Sequence, residues 1–173
     1  MRVMIDIDGV LADFIYGFTA LAAHLGLVER PWSTPDQPTW KFSFPVDAVW
    51  REVDAHPEWW LSLPALVIDA EVEALNEACE FHTIWYMTNR RGALDQTVSW
   101  LKRIGIAHPL VMATVNKADA AYRMGLQVAL EDKPENLEQL RAAGINTVAR
   151  HWAYNADWEP SVDSLGGFIE RYL

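Results

Sequence analysis

Two carboxylates, Asp6 and Asp8, lie two positions apart near the start of the chain. An apolar run over residues 3–7 predicts a short buried strand that ends at this pair. Gly9 follows and allows a sharp turn of the backbone. Two acids at the end of a buried strand are costly unless an opposite charge compensates them. A divalent cation would do so, and the pair therefore predicts metal-assisted phosphoryl chemistry.

Further polar residues follow three other apolar runs, which cover residues 82–87, 110–113 and 128–130. In chain order these polar residues are Thr88, Asn89, Arg90, Asn116, Lys117, Glu131 and Asp132. Because the carboxyl ends of parallel strands meet at one edge of a sheet, we expect them to converge with Asp6 and Asp8. Carboxylates, a hydroxyl, main-chain amides and a lysine are the groups that phosphoryl transfer needs.

Four glycines each follow a helical pattern and precede an apolar residue, namely Gly26, Gly105, Gly125 and Gly144. This pattern is typical of helix C-termini. Beyond residue 67 the helices alternate with short apolar runs, the last of which covers residues 147–149, and such alternation is typical of βαβ units. The sequence therefore predicts an α/β fold with a Rossmann-like, mostly parallel sheet and flanking helices.

Three helix starts are also predicted from local signals. The pattern over residues 10–25 predicts a first helix that contains Asp13. Asp69 is a candidate N-cap for a helix that ends at Ala78, and Ser161 is one for a last helix over residues 162–172.

Residues 28–66 break this alternation. They hold six of the nine prolines and five of the nine tryptophans, and only residues 46–55 have a helical pattern. A flexible linker is not this aromatic. We therefore predict a small aromatic-rich cap, residues 16–66, inserted after the first strand of a core formed by residues 1–15 and 67–173.

Composition and charge narrow the classes of function. The formal net charge of −10 argues against a general nucleic-acid binder, which needs a basic surface. The single cysteine cannot form an intramolecular disulfide, and no apolar stretch approaches the roughly 20 residues of a membrane span. The first residues lack a signal-peptide pattern. We expect a cytoplasmic protein with no membrane partner and no stable nucleic-acid partner, and the sequence leaves a homodimer open.

Several of these residues also have ordinary structural explanations. Thr88 could cap a helix, and Lys117 could be a surface lysine. The pair Glu131-Asp132 could cap the helix that Pro134 begins, a role that is compatible with metal binding. The spacing around Asp6 does not fit an EF-hand, and the five histidines show no zinc-ligand spacing.

The polar groups resemble the four motifs of the haloacid-dehalogenase-like phosphohydrolases. The matching residues, in order over positions 1–150, are Asp6-Ile-Asp-Gly-Val10, Thr88, Lys117 and Glu131-Asp132. The longer string 6–14, with segments 59–64 and 130–133, is similar to the 5′(3′)-deoxyribonucleotidases. The resemblance implies hydrolysis of a small phosphate ester, most plausibly a 5′-(deoxy)ribonucleoside monophosphate.

The resemblance also implies catalytic and metal-binding roles. Asp6 would attack phosphorus and form an aspartyl-phosphate, while Asp8 would protonate the leaving alkoxide and later activate water. Mg²⁺ would be bound by Asp6, the main-chain carbonyl of Asp8 and Asp132, and Glu131 would orient these groups.

Phosphate binding and base recognition are implied in the same way. Thr88 and the Asn89 amide would hold phosphate oxygens, and Lys117 would neutralise charge. Asn89-Arg90 stands where the vertebrate nucleotidases have Ser-Pro, so Arg90 or Arg91 is a candidate phosphate ligand.

Two aromatic residues, Phe14 and Trp60, align with base-stacking positions of the deoxyribonucleotidases. They could equally form the core of the cap. Two alternative functions stay open, a phosphatase for polynucleotide ends and a non-catalytic phosphate-binding module on the same fold.

Overall fold

A parallel six-stranded sheet forms the centre of the molecule. The computed structural model describes residues 1–34, 37, 39–90 and 92–173. The sheet order is β3-β2-β1-β4-β5-β6, and every neighbouring pair is parallel. The strands are β1 (Arg2–Asp6), β2 (Thr83–Thr88), β3 (Leu110–Ala113), β4 (Val128–Glu131), β5 (Asn146–Arg150) and β6 (Ser161–Val162). The predicted Rossmann-like α/β class is confirmed.

The strand order reverses direction between β1 and β4. The chain builds outward from β1 through β2 to β3, and then outward on the other side from β4 to β6. Ligands of open α/β sheets bind in the crevice at such a point, beyond the carboxyl ends of the strands. Ile5 is paired with Leu130, which places Asp6 and Glu131 at the same level of that edge.

Seven α-helices are present among the described residues. They are α1 (Phe14–His24), α2 (Val46–Ala55), α3 (Asp69–Ala78), α4 (Leu94–Arg103), α5 (Lys117–Met124), α6 (Pro134–Ala142) and α7 (Leu165–Tyr172). The four predicted glycine stops are confirmed, because each glycine has a positive φ just beyond a helix. At the first of them, the Leu27 amide donates to the Ala22 carbonyl at 2.9 Å, the long-range bond of a Schellman motif.

Two predicted helix starts are wrong by a few residues. Asp13 does not lie inside α1 but caps it, because its Oδ1 accepts the Tyr16 amide at 3.0 Å. Asp69 lies in the first turn of α3, and the cap position belongs to Ile68. The Ile68 amide donates to Glu71 Oε2 at 3.1 Å, so a glutamate inside the helix, rather than Asp69, accepts a hydrogen bond at the helix start.

The predicted start of the last helix is also wrong. Ser161 belongs to strand β6, where it is paired with Ala149 of β5. Ser164 caps α7 instead, and its Oγ accepts the Gly167 amide at 3.0 Å. Both serines are good cap residues, but the backbone bonds to β5 hold the first one extended.

The segment between β1 and α3 contains the predicted cap. It holds α1, α2 and a 3₁₀ helix over Pro57–Ser62. Its buried side chains, among them Phe18 and Leu63, form one continuous apolar cluster with sheet residues such as Ile5. The division at residues 16–66 stays a prediction, and Pro35 and Pro38 of this segment lie outside the described residues. No helix in the described ranges is long and apolar enough to cross a bilayer.

Candidate active site

A cleft of about 510 Å³ opens at the carboxyl edge of the sheet. Charged and polar residues line one part of it, namely Asp6, Asp8, Asp54, Asn89, Arg90, Lys117, Asp132, Lys133 and Asn136. Aromatic residues line the rest, namely Phe14, Trp40, Phe42, Trp50 and Trp60. The structure therefore brings most of the strand-end residues together with the aromatic segment 28–66, whereas Asn116 is exposed and outside the cleft lining.

Lys117 joins two carboxylates at the floor of the cleft. Its Nζ lies 2.6 Å from Asp6 Oδ1 and 2.8 Å from Glu131 Oε2, and all three side chains are buried. Lys117 begins α5, whose N-cap is Asn116, and the short loop after β3 thus delivers the ammonium group to the ends of β1 and β4. Lys117 is not the solvated lysine of the structural alternative.

The electrostatics of this cluster are unequal. Burial alone would lower the pKa of Lys117, but the adjacent Asp6 and Glu131 outweigh it and raise that pKa above its ordinary value. Burial opposes ionisation of Glu131 too, yet Lys117 and hydrogen bonds lower its pKa to about 2. The pKa of Asp6 is raised, first by burial and then by the negative charge of Glu131. The single ammonium group of Lys117 therefore does not neutralise the negative charge of both Asp6 and Glu131.

Both oxygens of Glu131 are occupied by protein donors. Oε1 accepts the amides of Asp132 and Lys133, each at 3.1 Å. Oε2 accepts Lys117 Nζ and, at 3.2 Å, Asn136 Nδ2. These bonds leave Glu131 little capacity for a metal and fit the orienting role that the family resemblance implies.

Asp132 has the opposite arrangement, with one oxygen held and one without a donor. Oδ2 accepts the Tyr154 hydroxyl at 2.5 Å and Trp40 Nε1 at 3.2 Å. Oδ1 is buried and has no hydrogen-bond partner among the residues that the structure describes. Burial and the neighbouring Glu131 raise the pKa of this carboxyl. A buried oxygen without a donor is expensive, and a cation ligand resolves the cost.

Three carboxylates lie close enough together to form a candidate metal centre. Oxygens of Asp6, Glu131 and Asp132 lie within 4.8 Å of one another, and those of Glu131 already accept from protein donors. Hard oxygen donors of this kind suit Mg²⁺. The free Oδ1 of Asp132 and the raised pKa of Asp6 both indicate a site that lacks positive charge. The residues present fit a divalent cation.

Arg90 is paired with Asp8 rather than free in the cleft. Its Nη2 lies 2.6 Å from Asp8 Oδ1, and its Nε lies 3.0 Å from Asp8 Oδ2. The guanidinium lies 4.6 Å from the ring centre of Trp60 and 5.7 Å from that of Trp100, and its side chain is 1% exposed. Arg90 therefore contacts the carboxylate to which the resemblance gives the proton-transfer role. The other candidate, Arg91, lies outside the described residues.

Thr88 and Asn89 lie beside that pair at the end of β2. The Thr88 hydroxyl lies 3.3 Å from Asp8 Oδ2 and accepts the Arg90 amide at 3.1 Å. Asn89 is exposed and lines the cleft.

Phe14 is the centre of the aromatic wall. Its ring lies stacked against those of Trp40, Trp50 and Trp60, with centroids 5.8, 5.9 and 6.1 Å away. Phe14 and Trp60 are only 6% and 5% exposed, and both line the cleft. They are thus part of the apolar core of this segment and of the cleft wall at once, and the two sequence-based alternatives are compatible.

Sequence reasoning missed five residues that hydrogen-bond to the site: Asn136, Trp40, Trp152, Tyr154 and Asn155. The last three belong to the loop after β5, where Trp152 Nε1 donates to the Gly9 carbonyl at 2.7 Å. The signal available was an aromatic content unusual for a loop, which indicates burial but not the partner.

Comparisons with known proteins were made on the sequence and on the fold. No family model matches the chain. A Chlorobaculum tepidum protein, named provisionally as a 5′(3′)-deoxyribonucleotidase, is 25% identical to this chain, and the alignment covers 95% of this chain and 90% of that protein.

Solved structures of similar fold include a haloacid dehalogenase-like family hydrolase of Streptococcus pneumoniae, with a TM-score of 0.56 and 17% identity over 90% of this chain and 88% of that one. A hydrolase of Pseudomonas syringae has a TM-score of 0.60 and 14% identity, covering 98% and 97% of the two chains. A 2-haloacid dehalogenase of Pseudomonas syringae pv. Tomato has a TM-score of 0.54 and 15% identity, and the match covers 98% of this chain and 96% of that one. The chain therefore has the haloacid-dehalogenase-like fold.

Proposed function

We propose that the protein is a Mg²⁺-dependent phosphomonoesterase that acts through an aspartyl-phosphate on Asp6. The observation that carries the proposal is the buried group of Asp6, Lys117 and Asp132 at the crevice of the sheet, in which one Asp132 oxygen has no donor among the described residues. Fixed positive and negative groups of this kind stabilise the charge that develops on a transferring phosphoryl group.

Asp6 is suited to be the nucleophile. Its Oδ1 is held by the Ile7 amide and by Lys117 Nζ, each at 2.6 Å, so the carboxylate is fixed at the strand end. In the first step an Asp6 oxygen bonds to phosphorus while the bond from phosphorus to the ester oxygen breaks. In the second step water attacks the same phosphorus, which releases inorganic phosphate and regenerates Asp6.

Asp8 is suited to carry the proton between these steps. It gives a proton to the departing ester oxygen and takes one from the attacking water. With its carboxylate paired to Arg90, Asp8 is an acceptor, whereas the first step needs a donor. A phosphate dianion competes for the same guanidinium, so substrate binding can free Asp8 to take up a proton from solvent before it donates that proton to the ester oxygen. Arg90 then serves the phosphate, as the sequence analysis expects.

A bound Mg²⁺ would be held by the carboxylates of Asp6 and Asp132 and by the main-chain carbonyl of Asp8. It would supply the positive charge that Lys117 alone does not, both to the nucleophile and to the phosphate oxygens. Glu131 orients this group through the amide of Asp132 and the ammonium of Lys117.

The polar residues favour phosphate over halide chemistry, although a dehalogenase shares the fold. A halide leaves as a stable anion and needs neither a proton donor nor a cation. A proton donor beside Asp6, and a cation on the buried Asp132 oxygen that lacks a donor among the described residues, are not needed for the departure of a halide. Both have a use in phosphate-ester hydrolysis.

The aromatic wall supports a nucleoside monophosphate as the substrate. Phe14 and Trp60 line the same cleft as Asp6, and aromatic side chains bind bases by stacking. The name of the Chlorobaculum tepidum protein points to the same class. A net charge of −10 disfavours the alternative of a polynucleotide end. The intact acids disfavour a non-catalytic module.

The test is phosphate release from nucleoside monophosphates and from sugar phosphates, with Mg²⁺ and with excess chelator. We expect turnover of at least one nucleotide with Mg²⁺, and its loss with chelator or in Asp6→Asn. Asp119→Asn, which alters an exposed acid of α5, is the matched control and should keep the wild-type rate. Absence of turnover on every ester, or full activity of Asp6→Asn, would refute the proposal.

A further inference from the structure

The carboxylate of Asp132 is oriented from two separate parts of the chain. Tyr154, after β5, donates its hydroxyl to Oδ2 at 2.5 Å. Trp40, from the segment between β1 and α3, donates Nε1 to the same oxygen at 3.2 Å. The two rings also meet edge to face, with centroids 5.8 Å apart. Both donors act on one oxygen, and the buried Oδ1 has no donor among the described residues.

The main chain around Asp132 is held by the same short segment that supplies Tyr154. We call residues 152–155 the tail turn. Asn155 Nδ2 donates to the Asp132 carbonyl at 2.7 Å, and Asn155 Oδ1 accepts the Trp152 amide at 2.7 Å. Trp152 in turn donates to the carbonyl of Gly9, the residue after Asp8. The tail turn is thus bonded to both loops that carry the proposed metal ligands.

We propose that Tyr154, assisted by Trp40, is a positioning residue of the metal centre: it fixes Asp132 Oδ2 so that Oδ1 is the oxygen presented to the cation. The inference rests on the proposed function, because it takes the cation from there. A carboxylate held by two donors on one oxygen cannot exchange its oxygens without breaking both bonds. Partners that orient metal ligands in this way typically change metal affinity by about 10-fold to 100-fold when they are removed.

Trp40 makes the predicted cap part of the metal centre. Its bond to Asp132 exists only while this segment is packed against the carboxyl edge of the sheet. The Trp40 bond is longer than the Tyr154 bond, so its removal should have the smaller effect on metal affinity.

The experiment is a calorimetric titration of the full chain with Mg²⁺. Tyr154→Phe removes one hydroxyl and keeps the ring, and we expect its Kd for Mg²⁺ to rise about 10-fold or more. Trp40→Phe should raise the Kd by a smaller factor. The matched controls are Tyr122→Phe, which changes a tyrosine that is 69% exposed on α5, and Trp32→Phe, which changes an aromatic residue outside the cleft lining. Both controls should keep the wild-type Kd.

Thermal unfolding without metal separates a positioning role from a structural one. A lower unfolding midpoint of Tyr154→Phe with an unchanged Kd would overturn the inference. If the wild type binds Mg²⁺ and releases phosphate but Tyr154→Phe has the same Kd for Mg²⁺, the inference is overturned. The proposed function would then still be supported. A wild type that binds no Mg²⁺ at millimolar concentration would overturn both.

Discussion

Gly9 is the residue at which the loop after β1 meets Asp132, one of the proposed metal ligands. Its φ is +85°, and a Cβ built on it would overlap Oδ2 and Cγ of Asp132. A side chain here would therefore strain the backbone and also displace the carboxylate that Tyr154 and Trp40 hold. The sequence predicted the need for a turn at Gly9, but not this contact with a residue far along the chain.

Gly9→Ala should therefore be more damaging than an alanine at another left-handed glycine. Gly26 is the matched control, because its φ is +72° and no atom of the described residues lies within 4 Å of a Cβ built there. We expect Gly26→Ala to cost about 1 to 2 kcal/mol of unfolding free energy, from backbone strain alone. Gly9→Ala should cost about 1 to 3 kcal/mol more, from overpacking, and should lose Mg²⁺ affinity. Chemical denaturation and calorimetry measure the two effects, and equal losses in the two variants would contradict the account.

The sequence predicted which residues meet wherever those residues follow the ends of parallel strands. Asp6 and Glu131 end neighbouring strands, and Lys117 begins the helix after a third strand, so their meeting follows from topology. Tyr154 and Trp40 reach Asp132 through loops, whose paths hydrophobic periodicity does not determine. The pairing of Arg90 with Asp8 was missed because a free arginine and a paired one have the same sequence signature.

At the scale of elements, the helix C-termini were predictable and three helix starts were not. Each glycine stop depends on a few neighbouring residues, so the local pattern is sufficient. The start of α7 depends on whether Ser161 pairs with β5, which is a contact with another element. The 3₁₀ helix over Pro57–Ser62 was also missed, since its two tryptophans and first proline have no helical period.

The aromatic wall leads to a prediction about substrate binding. Phe14→Leu removes the central ring of the stack, and we expect it to raise KM for a nucleoside monophosphate several-fold, because base stacking contributes about 1 to 3 kcal/mol. KM for ribose 5-phosphate, which has no base, should change little. Phe44→Leu is the control for repacking of this segment, because Phe44 is buried nearby but does not line the cleft. Equal changes in KM for both substrates would show that Phe14 has only a packing role.

At the scale of the whole molecule, stability and metal binding are linked through pH. Burial raises the pKa of Asp6 and of Asp132 above the ordinary value of 3.8, so the metal-free fold favours their protonated forms. As pH rises through these raised values, the folded state must ionise carboxyls that the unfolded state ionises more easily. The unfolding free energy of the metal-free protein should therefore fall as pH rises from about 4 through those raised values. Glu131 has the opposite sign, but its pKa of about 2 confines its effect to more acid conditions.

Mg²⁺ should reverse this loss, because it binds the ionised carboxylates. At 100 times its Kd it should add about 2.7 kcal/mol to the unfolding free energy. The gain should be larger at about pH 8 than at about pH 5, where protons compete for the same oxygens. Chemical denaturation with Mg²⁺ and with chelator measures both trends. A gain that is independent of pH would contradict the assignment of Asp6 and Asp132 as ligands.

The central claim is that Asp6 attacks phosphorus, and the covalent intermediate tests it most directly. Enzyme mixed with substrate and Mg²⁺ is quenched in acid within the first turnover, digested and examined by mass spectrometry. The account predicts one added phosphoryl group on the peptide that carries Asp6, present in Asp8→Asn, where its hydrolysis should be slowed, and absent in Asp6→Asn. Phosphate release without any phosphoryl group on Asp6 in either the wild type or Asp8→Asn would contradict it.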